Sequence, residues 1–390
     1  MATDPSEQDL TARRRAAAAA TRHLTGGRSS PAQELRSLAD HLDGLTASGA
    51  LEEGSAGWDS YGEHGTVALL ERRVAEMLGT DDAVFFPSGV MAQEVALRVH
   101  CDAAGTSRVA MPNLSHLLVH EEDGPRRLHG FEVEHLTTGP RVATAEDLAA
   151  IPGRLGAVLA ELPLRDGSYL LPTWDELAGL ASACRERGVA LHLDGARLWE
   201  SQPWFDRPLA EIAGLADSVY VSFYKGLAGL AGAALAGTEE LCREARVWRR
   251  RQGGTLFTLM PYAAAALRGL DEHLPQMAQR HEYAVAWARA LAERGLRTVP
   301  SEPHAVAFRV YAPSEADAVS ERALQAVERD RIGLPMVWQP ADVPGWAWCE
   351  LTVTGTTLEF AVDEAADRIA AVAGQMPLLP TGVEAHGERP

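Results

Sequence analysis

Apolar residues recur at helical spacing through PAQELRSLADHLDGL, with Pro31 at its start, which predicts a helix there. TASGALEEGSAGWDSYGEHG has no such period and reads as loop. From Thr66, VALLERRVAEML is amphipathic and stops at Gly79, predicting a second helix. AVFF follows as a short buried strand, then a turn at Pro87-Ser88-Gly89, then another helix. RVAMP is a further strand, and GAVLAELP and GVALHLDGA predict strands on either side of a helix in WDELAGLASACRERG. DSVYVSFYKG reads as a strand and AGAALAG as a short apolar one. Strands alternating with helices predict an α/β domain with a mainly parallel central sheet.

A helical region opens at TEELCREARVWRRRQGG and runs, with breaks, to about residue 296. From Arg297 the texture changes: RTVP, AVAFRVY and CELTVTG look like strands, between helices at EADAVSERALQAVERD and VDEAADRIAAVAG. The expected organisation is a flexible tail over 1–30, a helix and loop over 31–60, and a large domain over 61–296. A smaller C-terminal α+β domain over 297–378 and a flexible tail over 379–390 complete it. No internal repeat is visible.

Composition narrows the function classes. The 390 residues carry 36 Lys+Arg against 54 Asp+Glu, a formal charge of -18, which argues against a nucleic-acid binder. Cys101, Cys184, Cys242 and Cys349 form no CxxC pair, so reduced thiols in a cytoplasmic protein are expected, with neither a disulfide framework nor a metal site. No apolar run approaches the roughly 20 residues that cross a bilayer, and the acidic start of the chain is unlike a secretory signal.

Among the 36 basic residues only one, Lys225, is a lysine. Arginine stays protonated and delocalised and cannot form an imine. A position that requires a primary amine is therefore the last at which lysine would persist, and Lys225 stands at a predicted strand end before the glycine-rich GLAGLAG. Two more strand ends carry distinctive groups, where ligands of open α/β sheets sit. Ser88, Gly89 and Val90 open a helix and suit a phosphate, although a plain strand-to-helix turn fits them equally. Asp194-Gly195-Ala196-Arg197 offers a carboxylate for a pyridinium nitrogen, or a helix cap, or an Asp–Arg pair. Ser222, three residues before Lys225, is within reach of the same phosphate.

In this order the motifs resemble the threonine aldolase and β-eliminating lyase group of fold-type I pyridoxal-phosphate (PLP) enzymes. The segments that carry the likeness are YGEHGTVALLE, FFPSGVMAQ, LHLDGARLWE and SVYVSFYKGLAGLAGAALAG, and it runs from about Tyr61 to Pro275. The resemblance implies an aspartate-aminotransferase-like large domain and PLP held as a Schiff base on Lys225. It further implies Asp194 at the pyridinium nitrogen, the phosphate at Ser88, Gly89 and Val90, and Arg197 against cofactor and substrate carboxylate. By the same likeness His116 stacks on the ring, Glu121 follows it in the pattern, and Tyr61 and Glu63 lie near cofactor and substrate. Members are usually dimers of dimers whose sites a neighbouring subunit completes.

Several positions depart from the family. His64-Gly65 stand where Asp-Pro is usual, and Val90 replaces a hydroxyl residue. Glu161-Leu162-Pro163-Leu164-Arg165 replaces Glu-Asn-Thr-His-Asn, and Leu256-Phe257-Thr258 replaces Met-Arg-Gln. An expected C-terminal arginine has no counterpart around Trp348–Thr354. Cofactor positions are kept while substrate positions differ.

The expected reaction is aldol cleavage of a threonine-like β-hydroxy-α-amino acid to glycine and an aldehyde. His116 and His64 are the candidate bases for the β-hydroxyl proton, ahead of His120. β-Elimination, transamination and racemisation run on the same frame, and a non-catalytic binding or regulatory protein keeping the fold is the reading from another class. A nicotinamide enzyme is disfavoured, since Gly226, Gly229 and Gly232 have the wrong spacing for its glycine motif.

Overall fold

Runs of apolar residues without alternation belong to strands covered on both faces, and three such runs lie inside the main sheet. The computed structural model describes residues 11, 13–14, 20–27 and 29–374. These form two units: a larger one of 29–281 with His304–Val306, and a smaller one of 20–27, Glu282–Pro303 and 307–374.

The larger unit begins with α1 (Pro31–Ala47), started by a reciprocal cap between Ser30 and Gln33, and α2 (Gly65–Leu78), which ends on the left-handed Gly79. Its seven strands are β1 (Asp82–Phe86), β2 (Arg108–Met111), β3 (Glu132–His135), β4 (Ala157–Glu161), β5 (Ala190–Gly195), β6 (Ser218–Ser222) and β7 (Ala233–Gly237). They are ordered β1-β7-β6-β5-β4-β2-β3. β7 runs antiparallel to both neighbours and the remaining pairs are parallel. β4, β6 and β7 are buried at every residue. The edge strand β3 was not anticipated, because EVEH is polar and half exposed.

Helix α3 (Gly89–Ala104) packs across β6 and β7. One core joins Val84 and Phe86 of β1, Val95 of α3, Tyr220 of β6, Leu235 of β7, and Leu241 and Ala245 of α6 (Glu239–Arg251). α4 (Trp174–Arg187) starts at a reciprocal Thr173–Glu176 cap, and α5 (Leu198–Phe205) follows the end of β5. α7 (Met260–Glu272) and α8 (Met277–Glu293) follow α6.

Register aligns the strand ends. Glu161 pairs across from Asp194, and Asp194 across from Tyr220. Ser222 is opposite Ala233, which is opposite Phe86. The carboxyl ends of β1, β4, β5 and β6 therefore share one edge, where the motifs noted above converge.

In the smaller unit an antiparallel sheet joins Gln339–Pro340, Ala347–Thr352, Ala307–Ala312 and Arg297–Val299, in that order. The unit starts at Glu282 inside α8 rather than at Arg297. A continuous helical pattern crosses that boundary and hides it. Part of the segment expected as a loose N-terminal tail is structured: Arg22–His23 pairs in parallel with Ile332–Gly333, and Leu24 is fully buried. A two-residue polar strand has no period to reveal it. The rest of that expected tail, and 379–390, lie outside the described residues. Among the described residues no helix is long and apolar enough to cross a membrane, and all four cysteines are free and buried.

Candidate active site

Asp194 ends β5 with its carboxyl group buried, accepting the Ala196 N–H at 3.1 Å. Burial pushes its acid up to about 6, against the pull of the Ala196 N–H, Gln93, Arg197 and Lys225. Glu161 lies alongside on β4 and is also buried. Burial and the neighbouring Asp194 push it up to about 8.

Lys225 sits in the turn after β6. The turn closes through Gly229 N–H to the Phe223 carbonyl at 2.8 Å and Ala228 N–H to the Lys225 carbonyl at 3.0 Å. Gly226 is held from both sides: the buried Glu200 carboxyl group lies against it, and Arg280 Nη1 donates to its carbonyl at 3.0 Å. A Cβ at Gly226 would lie 2.3 Å from Glu200 Oε1, so a side chain there would have to push that carboxyl group aside. Burial, then Arg197 and Arg165, lower the affinity of the Lys225 amine for its proton. Its Nζ lies 4.7 Å from the Tyr224 ring centre.

Arg197 follows Asp194 by three residues, with its guanidinium 5.2 Å from the Tyr169 ring centre and its Nε 3.6 Å from Glu200 Oε2. At the end of β1, Ser88 caps α3 in an extended conformation without using its side chain. The first N–H groups of this 16-residue helix point at the shared edge without that cap. A Cβ at Gly89 would meet the Tyr220 hydroxyl at 2.1 Å. Val90 is partly buried in the first turn, and the Ser222 Oγ is buried without a hydrogen-bond partner.

His116 begins a single helical turn, His116–Val119. Its Nδ1 lies 2.9 Å from Glu121 Oε1. Burial, then His120, Lys225 and Arg165, lower its ring to about 4. A neutral ring that donates through Nδ1–H to Glu121 leaves the lone pair on Nε2. His120 packs 4.7 Å from the His116 ring centre and is hydrogen-bonded to Asp166 at 2.8 Å.

Tyr61, Glu63 and His64 stand apart from this group. With Ser60, Arg250 and Thr255 they line an open cleft of about 650 Å³. Their loop is pinned by buried Asp59, which accepts N–H groups from Gly62 and Leu259 and the Thr258 hydroxyl. Tyr61 and His64 both have positive φ, and Tyr61 packs edge-on against Phe257, itself 71% exposed.

Sequence reasoning assigned no role to Glu161, Glu200, Arg280 or Gln93. Glu161 carried one signal, its place at the end of a strand. The other three sit within helices and look like solvent-facing polar residues until the fold buries them.

The arrangement is an amine of lowered basicity, a buried carboxyl group at a neighbouring strand end, a neutral imidazole, an arginine and a helix N-terminus. The β-eliminating lyase family matches residues 46–312. A Listeria monocytogenes structure described as an L-allo-threonine aldolase is 32% identical with a TM-score of 0.84, covering 93% of this chain and 99% of its own. An Exiguobacterium structure described as an aromatic amino acid β-eliminating lyase/threonine aldolase is 34% identical with a TM-score of 0.84, covering 92% and 99%. Low-specificity L-threonine aldolase 1 of Arabidopsis thaliana is 29% identical over 261 residues, 61% of this chain and 70% of its own length.

Proposed function

The chain belongs to the β-eliminating lyase and threonine aldolase family, with its fold-type I architecture, and on that premise we propose that it is a PLP-dependent lyase. The proposed reaction cleaves the Cα–Cβ bond of a threonine-like β-hydroxy-α-amino acid, giving glycine and an aldehyde. The observation that carries this reading is the meeting of Lys225, Asp194, Arg197 and His116 at one sheet edge, each at or just beyond a strand end.

The residues fit the cofactor. Ser222 has a buried hydroxyl without a partner, Gly89 lets the start of α3 lie directly against Tyr220 beside it, and α3 presents free N–H groups, together a cradle for a phosphate. Ser88, Gly89, Val90 and Ser222 would hold that phosphate, and Asp194 would hold the proton on the ring nitrogen. When bound, PLP supplies an electron-accepting ring for the bond broken at Cα.

The protein groups divide the remaining work. Lowered basicity makes the Lys225 amine available as a nucleophile nearer neutral pH. Arg197 binds and orients the α-carboxylate of the amino acid. His116 takes the β-hydroxyl proton on Nε2, and Glu121 fixes the ring through Nδ1. Tyr61, Glu63 and His64 serve a neighbouring copy in a homo-oligomer. Their loop is exposed beside Trp58 and Phe257, apolar surface suited to burial against a second chain. His64 would enter a site from that side.

Aldehyde release from L-threonine and L-allo-threonine tests the reading. The PLP-loaded protein should release aldehyde and Lys225→Ala should not. Equal release by both proteins would overturn the reading. Products other than an aldehyde would move it to a different Cα reaction.

A further inference from the structure

Two loops form the side of the site next to His116. One, running from the end of β2 through the His116–Val119 turn to His120, carries His116; the other follows β4 and carries Arg165 and Asp166. The loops touch through their side chains, His120 to Asp166 at 2.8 Å and Arg165 Nη1 to His120 at 3.4 Å. Beneath them lies Glu161, whose Oε2 accepts the His116 N–H at 2.9 Å and whose Oε1 accepts the Arg165 N–H at 3.1 Å.

We infer that Glu161 is a positioning residue for His116. Its carboxyl group ties the two loops to the end of β4, and so holds the imidazole in electrostatic reach of Lys225. The inference rests on the site proposed above and adds to it a residue that touches no substrate.

The chemistry of the pair of bonds explains why a carboxyl group stands here. Two N–H donors arrive at two different oxygens, so both oxygens must accept. An amide has only one accepting oxygen, and its NH₂ would face an N–H. A buried carboxyl group beside Asp194, with Asp166 nearby, is an expensive choice, and its surroundings favour the neutral acid, whose two oxygens can both still accept. A purely structural filler would be met more cheaply by an apolar side chain.

The test uses the full chain in two forms, cofactor-free and PLP-loaded, with Glu161→Gln and Glu161→Asp beside the wild type. In the cofactor-free protein, amide exchange at His116 or Arg165 should accelerate about tenfold or more in Glu161→Gln, as expected for loss of one hydrogen bond. The His116 imidazole, followed by NMR, should titrate closer to 6.5 than to its value of about 4 once its loop is released into water. In the loaded enzyme kcat should fall about tenfold or more, with the KM for the amino acid and the affinity for PLP changed much less.

Glu161→Asp keeps the carboxyl group but is too short to reach both donors, so it should reproduce the Gln effects. Wild-type behaviour in Asp alongside a defective Gln variant would show that a carboxyl group acts here without bridging both donors, and would overturn the inference. Unchanged exchange and imidazole titration in both variants would overturn it as well. If Glu161→Gln does not fold, Glu161→Asp carries the same comparison. Failure of the wild type to take up PLP would instead defeat the functional reading, and the cofactor-free measurements distinguish that outcome.

Discussion

His116 shows how a single residue acquires a role from its surroundings. Burial and nearby cations drive its ring down to about 4, so at neutral pH it is an unprotonated base, with Glu121 fixing which nitrogen carries hydrogen. A base must be unprotonated, so its contribution to activity is lost only as pH falls through about 4, not near 6.5. The acid limb of kcat/KM should therefore lie well below pH 6.5. His116→Asn should lower kcat by roughly a hundredfold or more while PLP remains bound. An acid limb at 6.5, or full activity in His116→Asn, would remove His116 from the chemistry. Lys225, Asp194 and Arg197 were legible in the sequence because each is distinctive by type and sits at a strand end. Glu200 and Arg280 were not, because a charged residue in a helix looks the same whether it faces water or, as here, is buried against Gly226.

At the scale of elements, the turn after β6 is held closely at Gly226, where the Glu200 carboxyl group takes the space a side chain would need. A Cβ on Gly226 would press on Glu200, so Gly226→Ala must displace either the carboxyl group or the Lys225 turn. The expected result is a loss of PLP affinity of about tenfold or more, at about 1 kcal/mol or more of strain, measured by titrating PLP against absorbance. Unaltered affinity would mean that the turn is softer than its contacts imply. Strands β4, β6 and β7 were legible because burial on both faces writes an unbroken apolar run. β3 and Arg22–His23 were not: one is a half-exposed edge and the other two residues long. The start of the smaller unit was hidden for a related reason, since it falls inside α8 where the helical period continues unchanged.

For the molecule as a whole, buried titratable groups set how stability varies with pH. His192 is fully buried and held down to about 3, and His100 to about 4, with the Ser218 Oγ 2.8 Å from a ring nitrogen of each. His116 and His273 are also near 4, chiefly through burial. Folded-state values below 6.5 mean that this stability is fully present above 6.5 and is lost as pH falls through 4 toward 3. Asp194 and Glu161 act in the opposite sense. Their folded values, about 6 and 8, are raised, so their contribution is greatest below about 4 and is lost as pH rises through 6 to 8. The cofactor-free chain should therefore be most stable in mildly acid solution. Glu161→Gln should flatten the loss between about pH 6.5 and 8 by an amount on the order of 1 kcal/mol or more. Denaturation midpoints across pH 3 to 9 measure this, and an alkaline limb unmoved by Glu161→Gln would contradict it.

The central claim is that this chain bonds PLP through its one lysine, and that lysine makes the claim directly measurable. The wild-type protein, mixed with PLP and treated with borohydride, should carry a phosphopyridoxyl group on the peptide that holds Lys225, and Lys225→Ala should carry none. A wild-type protein that remains unlabelled, or one labelled at any other position, would contradict the account.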